Sequence, residues 1–240
     1  MDELCEIIER GLTAAGVAYD ATLPQACAAH WRLLTAANAR FNLTAITSAA
    51  EAARKHYLDV LLTAPLFARL ADAYGGAAAD IGSGGGFPAL PLAIACPRLE
   101  WTLLEAAQKK TAFLNEAAAA LGLSNVRAVA LRAEDAGRGE LRGGFDIVTA
   151  RAVAPLSVLS EYALPLLRAG GVFAAFKGAN AAAELAAAQR ALAVLGGTYA
   201  GQEDYTLPDG EQRAVLLIVK TAATPDKYPR RAGMPAKKPL

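Results

Sequence analysis

The stretch 77–87, AAADIGSGGGF, constrains this chain more than any other. A short run of small apolar residues reaches Asp80 and Ile81, and glycine then falls on every second position, at Gly82, Gly84 and Gly86. Pro88 opens a helix-like run, PALPLAIAC. Strand, tight glycine turn and helix start are the mononucleotide-binding half of a doubly wound sheet. Glycine takes positive φ and lets the backbone approach a ligand, and a helix start presents free N–H groups. A dinucleotide fingerprint needs its third glycine or alanine at position 87, where Phe87 stands. That ring would crowd a pyrophosphate, whereas an uncharged adenosine packs against it. The bland alternative is a turn with no ligand, which gives no return for the backbone entropy of three glycines.

The rest of the chain arranges itself around this turn. Before it, residues 2–15, 22–39 and 48–73 read as amphipathic helices, the third opening on Ser48 and Glu51 as a capping box. Residues 1–75 are therefore expected to form a helical cap, with FNLTAIT (41–47) as an extended connector. From residue 77, strands at 77–81, 100–104, 125–131, 145–150 and 172–176 alternate with helices at about 88–96, 107–121, 155–167 and 180–195. Two final strands, 198–206 and 213–220, flank an Asp209-Gly210 hairpin turn. The expected fold class is α/β: a Rossmann-like, mostly parallel seven-stranded sheet over 76–220 with an antiparallel last strand. Residues 221–240 hold four prolines among five basic side chains, and their lack of apolar periodicity predicts neither helix nor strand.

Bulk properties narrow the function. With 240 residues the chain is long enough to bury a core without staples. Its 54% apolar content is largely alanine, and no window approaches the ~18–20 apolar residues of a spanning helix. MDELCEIIER is acidic, unlike a leader peptide. Cys5, Cys27 and Cys96 are odd in number and widely spaced, which argues against disulfides or a metal site and for a cytoplasmic protein. Net charge is only +1, but the last 20 residues carry five basic side chains against Asp226.

The glycine turn with its preceding acid resembles motif I of the S-adenosylmethionine methyltransferases, and the candidate chemistry that this resemblance implies lies on the carboxyl edge of the sheet. Glu105, ending strand two, can accept hydrogen bonds from both hydroxyls of a ribose. Ala133 and Glu134 follow strand three, where an adenine edge would lie. Arg151 ends strand four and can clamp a carboxylate or phosphate, or pair with a nearby acid. Lys109, Lys110 and Lys177 make the rim positive and attractive to phosphates. His56 and Asp59 share one helical turn and read as structural; His30 carries no functional expectation. Strand four ends TARAVAP, with neither an Asn/Asp-Pro-Pro-aromatic box nor a Pro-Cys pair, which disfavours methylation of an exocyclic adenine amine or of pyrimidine carbon 5. The residues leave open a methyltransferase for a ribose hydroxyl or small molecule, and a non-catalytic nucleotide-binding module.

FNLTAIT with KHYLD, DIGSGGGFPALPLAI, LLEAAQKKTAFL, RAED, FDIVTARAVAPLSVLSEYALPLL and KYPRRAGMPAKKPL together resemble the RsmG (GidB) family of small-subunit ribosomal RNA guanine-N7 methyltransferases. The resemblance implies S-adenosylmethionine as cofactor, held by Gly82, Gly84, Phe87, Glu105, Ala106, Ala133, Glu134 and Arg151. It implies 16S ribosomal RNA as partner, in free or partly assembled form; from their charge and position, the rim's Lys109, Lys110 and Lys177 and the tail's Arg230 and Arg231 are expected to meet its phosphates. Guanine N7 carries a lone pair and no proton, so no catalytic base is expected. A monomer, with no membrane association, completes the expectation.

Overall fold

The computed structural model describes residues 2–240. Five strands run parallel: β1 (Ala77–Ile81), β2 (Glu100–Glu105), β3 (Val126–Ala130), β4 (Phe145–Arg151) and β5 (Leu167–Lys177). They are followed by β6 (Gly197–Thr206) and β7 (Gln212–Lys220), a hairpin whose second strand pairs antiparallel with β5. The order across the sheet is β3-β2-β1-β4-β5-β7-β6. The chain thus winds outward in both directions from the neighbouring β1 and β4. A crevice opens beyond the carboxyl ends of those two strands, where this topology binds ligands.

Strand residues alternate between two cores, as the pleat dictates. Ala78, Trp101, Leu103, Ile147 and Val172 face one; Ala79, Leu104, Val148 and Phe173 face the other. The first core is covered by α1 (Glu3–Ala14), α2 (Leu23–Asn38), α3 (Ala49–Ala52), a π-helical stretch (Ala53–Leu58), α4 (Asp59–Leu61) and α5 (Ala64–Tyr74), together with α6 (Ala89–Ala95) and α7 (Gln108–Ala120). The cap shares this core with the sheet: Ile8, Leu34, Tyr57 and Phe67 are fully buried in it. The second core lies under α8 (Ala133–Ala136), α9 (Leu156–Ala163) and α10 (Ala181–Leu195).

Ser48 caps α3 as the sequence predicts, accepting from the Glu51 N–H at 3.2 Å. Two local expectations change. The predicted helix 155–167 stops at Ala163 and β5 starts at Leu167, because Pro165 cannot continue a helix. The strand then runs straight through Gly170 and Gly171. The third cap helix is interrupted by the π-helical stretch, for which the apolar pattern carries no signal.

The tail departs furthest from expectation. It folds back along α9 and includes a helical turn, α11 (Met234–Lys237). Tyr228 is buried in the second core, and Arg142 donates to the carbonyls of Thr224 and Tyr228, both at 2.7 Å. Arg230 grips Glu161 with Nε at 2.8 Å and Nη2 at 2.5 Å, and its own backbone N–H donates to the same carboxylate at 2.8 Å. Tertiary hydrogen bonds, rather than an amphipathic face, order this segment.

The Glu161 side chain is 1% exposed, so removing its partner leaves a buried carboxylate unpaired. Arg230→Ala is therefore expected to lower the unfolding free energy by about 3 kcal/mol. Urea denaturation checks this; an unchanged midpoint would place the tail outside the cooperative core.

Candidate active site

The glycine turn leaves β1 in the left-handed region, with φ of +69° at Gly82, +52° at Gly84 and +99° at Gly86. Part of the turn pairs within itself, the Gly86 N–H donating to the Ser83 carbonyl at 2.6 Å, and its other partners come from elsewhere. The Gly82 N–H donates to the Leu104 carbonyl at 2.8 Å, and the Gly84 N–H to Glu105 Oε2 at 3.1 Å. Glu105 Oε1 accepts from the Ala107 N–H at 2.9 Å. The Gly85 carbonyl takes a bond from His30 Nε2 at 3.0 Å, and Tyr57 Oη lies 2.9 Å from His30 Nδ1. A carbonyl only accepts, so His30 carries its proton on Nε2, and the Tyr57 hydroxyl donates to Nδ1. Burial pushes the His30 pKa down to about 4, keeping the ring neutral. This link from the cap to the turn has no sequence signature, and the sequence reading missed it.

Three features fit the turn to a nucleoside with an amino-acid end. A Cβ on Gly84 would meet only the Gly82 carbonyl oxygen, at 3.8 Å, so the turn is open on that side. Glu105 spends one bond per oxygen on backbone and keeps acceptor capacity for ribose hydroxyls, with exposed Ala106 beside it. Asp80, at the end of β1, accepts from Thr149 Oγ1 at 2.8 Å, while its Oδ2 is buried without a partner. Burial raises the Asp80 pKa to about 7, and a ligand ammonium would supply the missing donor.

Beside the turn, Arg151 at the end of β4 is gripped by the cap. Its Nη1 donates to Asp59 Oδ2 at 2.5 Å and to the Lys55 carbonyl at 3.0 Å, and Nη2 donates to His56 Nδ1 at 3.1 Å. A guanidinium cannot accept, so His56 carries its proton on Nε2 and donates to Thr44 Oγ1 at 2.8 Å. Burial and the Arg151 charge hold the His56 pKa down at about 4. The imidazole stacks on Phe87 at 4.6 Å, and the guanidinium lies 5.3 Å from the same ring. His56 and Asp59 thus meet through Arg151 rather than directly. Asp59 also accepts from the Tyr205 hydroxyl at 2.9 Å and lies 3.4 Å from Arg213 Nε, which brings in the β6–β7 hairpin. Tyr205 and Arg213 are further residues that no local motif marks. The ion pair with Asp59 uses part of Arg151 only; Nε and one Nη2 hydrogen are left for a ligand.

This cluster lines a cleft of about 690 Å³ between β4, β5 and the cap. Ala152, at φ +58°, turns the chain so that Val153 packs toward Gly82 and divides the cleft from the glycine turn. Lys177 is not a free rim cation: only 6% exposed, it pairs with Glu184 at 2.7 Å and donates to the Ala154 carbonyl at 3.1 Å, bracing this loop. Arg230 is corrected likewise, because its guanidinium is committed to Glu161. Lys109 and Arg231 are exposed, Lys110 is half-buried, and none of the three makes an ion pair among the described residues. Ala133 and Glu134 open α8 and are both buried, with Glu134 Oε1 accepting from the Gly233 N–H at 2.9 Å.

The model of the family described as rRNA small subunit methyltransferase G (GidB) matches residues 24–205. The chain belongs to this family. It is 49% identical over 210 residues to ribosomal RNA small subunit methyltransferase G of Chloroflexus aggregans, covering 85% of this chain and 84% of that one. The protein of the same name from Lactobacillus johnsonii is 43% identical over 239 residues, covering 98% and 99%. Among solved structures, cofactor-bound Rv0187 from MTB is similar in fold, with a TM-score of 0.57 at 22% identity over 82% of this chain and 90% of that one. A 16S rRNA (adenine(1408)-N(1))-methyltransferase mutant from Catenulisporales acidiphilia has a TM-score of 0.52 at 17% identity, covering 70% and 93%. The seven-stranded sheet with its antiparallel last strand is the fold expected from the sequence, and these two structures share that fold class.

The site also sets a pH dependence. Between about pH 4 and 6.5, His30 and His56 each bind a proton in the unfolded chain but not in the folded one. Asp80 does the reverse up to about pH 7. Each histidine contribution is present above pH 6.5 and is lost as pH falls toward 4. In His30→Gln, the slope of unfolding free energy against pH over this window is expected to fall by about 1.4 kcal/mol per pH unit. Denaturant titrations at several pH values check this; equal slopes would contradict a neutral His30.

Proposed function

We propose that this protein methylates N7 of a guanine in 16S ribosomal RNA, with S-adenosylmethionine held on the glycine turn. The observation that carries this reading is the open side of the turn at Gly84, with Glu105 beside it and the Arg151 cleft adjacent. The cofactor supplies an electrophilic methyl group on a sulfonium. Gly82, Gly84 and Phe87 give it backbone and an apolar wall, Glu105 and Ala106 meet the ribose, and Ala133 and Glu134 flank the adenine. Asp80 offers its unpartnered oxygen to the amino group. Arg151, held on three sides, marks the border between cofactor and acceptor and keeps two N–H groups for them.

The residues facing the cleft suit an acceptor that needs no deprotonation. Both nitrogens of His56 are engaged, and its low pKa keeps it from taking a proton near neutrality. Cys5, Cys27 and Cys96 are buried thiols whose pKa values are raised, so none supplies a thiolate. Guanine N7 brings its own lone pair. What the site contributes is alignment of acceptor and methyl group in a partly enclosed cleft. Lys109, Lys110 and Arg231 are proposed to meet RNA phosphates, which makes binding salt-dependent. No helix among the described residues is long and apolar enough to cross a membrane. A cytoplasmic monomer acting on free RNA or a partly assembled small subunit completes the proposal, with the cap, the core and the folded tail acting as one domain.

The test is methyl transfer from labelled S-adenosylmethionine to unmodified small-subunit RNA and to partly assembled subunits, with the product nucleoside identified by mass. N7-methylguanosine at one position is the expected outcome, and any other methylated nucleoside would refute the assignment. Gly84→Asp is expected to cost about 1 kcal/mol of stability for a non-glycine residue at φ +52°, to keep the fold, and to abolish cofactor binding, since the new side chain meets open space in the protein and occupies the ligand's place. Calorimetric titration with S-adenosylhomocysteine reads this; retained affinity would mean that the turn does not hold the cofactor.

A further inference from the structure

The nucleoside reading places the adenine over the carboxyl ends of β2 and β3, beside Glu134. Glu134 is only 5% exposed, and its Oε1 accepts from the backbone N–H of Gly233, 99 residues later. That N–H is set in place by two features of the tail. Three residues earlier, Arg230 is anchored to Glu161 through its guanidinium and its own N–H. Gly233 itself stands at φ +79°, a conformation that turns the chain back toward α8 and that other residues adopt only under strain. Past it, α11 packs on α9, with Pro235 buried. The tail also closes on the residue that ends α8: a Cβ on Gly137 would lie 3.1 Å from Pro229 Cγ. Both ends of the segment carrying Glu134 therefore touch residues 229–233.

We propose that the folded tail is a clasp for the adenine side of the cofactor site, with Gly233 as the positioning residue for Glu134. It rests on the nucleoside reading above. A buried carboxylate swings away from an apolar wall unless a donor holds it, and the Gly233 N–H is the donor provided here. The clasp fixes which oxygen of Glu134 is engaged and leaves the other for a ligand donor. Exposed Arg231, Lys237 and Lys238 flank it, so RNA seated on these side chains would press on the segment that shapes the cofactor site.

The experiment compares binding of S-adenosylhomocysteine, by calorimetry, to full-length wild type, Gly233→Pro, Glu134→Ala, the double variant and Glu105→Ala. Gly233→Pro removes the donor and, because proline is held at a φ of about −65°, also the left-handed turn that aims it, and is expected to weaken binding about tenfold. Glu134→Ala is expected to do the same, and the double variant to be no weaker than either, as one interaction requires. In turnover, Gly233→Pro is expected to raise the KM for cofactor with kcat kept. Wild-type affinity in Gly233→Pro alongside a loss in Glu105→Ala would overturn the clasp and leave the site intact. Wild-type affinity in Glu105→Ala would sink the nucleoside reading, and the clasp with it. Should Gly233→Pro fail to fold, hydrogen exchange on the wild type decides. The Gly233 amide is expected to gain protection when S-adenosylhomocysteine is added, and unchanged exchange would overturn the proposal.

Discussion

A backbone that turns left-handed three times within five residues strands polar groups that no helix or sheet can pair, and the molecule is built to supply their partners. The Gly84 N–H is met by Glu105 from the next strand, and the Gly85 carbonyl by His30 from the cap. Each partner must be buried to reach the turn, so each needs support of its own. His30 finds it in the Tyr57 hydroxyl and is neutral because a charged ring at that depth would be heavily desolvated. The cap is therefore part of the site, since without it the Gly85 carbonyl would lose its buried donor.

Arg151 plays the corresponding part in the cleft beside the turn. A guanidinium with a side chain only 14% exposed is costly unless its hydrogens are matched. The match comes from one turn of the cap, through the Lys55 carbonyl, the His56 ring and the Asp59 carboxylate. Asp59 in turn receives Tyr205 from the hairpin that closes the sheet. Residues from three distant parts of the chain thus meet at one ion pair, which ties the wall of the cleft to the cap and the hairpin. The same matching leaves His56 unable to act as a base, a property that suits an acceptor with a free lone pair.

The distribution of charge changes meaning once the chain is folded. By composition the tail is a basic arm, and by structure its first arginine is half-buried and committed to the buried Glu161. Lys177, by position a rim cation, is a strut between Glu184 and the Ala154 carbonyl. Of the five cations expected at the rim and in the tail, Lys109, Lys110 and Arg231 are the ones that keep no ion pair among the described residues.

Much of this protein was legible in sequence because local rules decided it. Positive φ favours glycine, so the turn at 82–86, with three such residues in five, announces itself. Alternating strands and helices demand a mostly parallel sheet, so the position of Glu105 and Arg151 at strand ends follows from counting. The tertiary structure alone decided how those side chains are used. Hydrogen-bond partners 55, 92 or 99 residues apart leave no periodicity to read, which is why His30 on Gly85, Asp59 on Arg151 and Gly233 on Glu134 were invisible until the chain closed on itself. The tail was misread for the same reason: its order comes from a buried ion pair and borrowed carbonyls, and a segment held by its neighbours carries no pattern of its own.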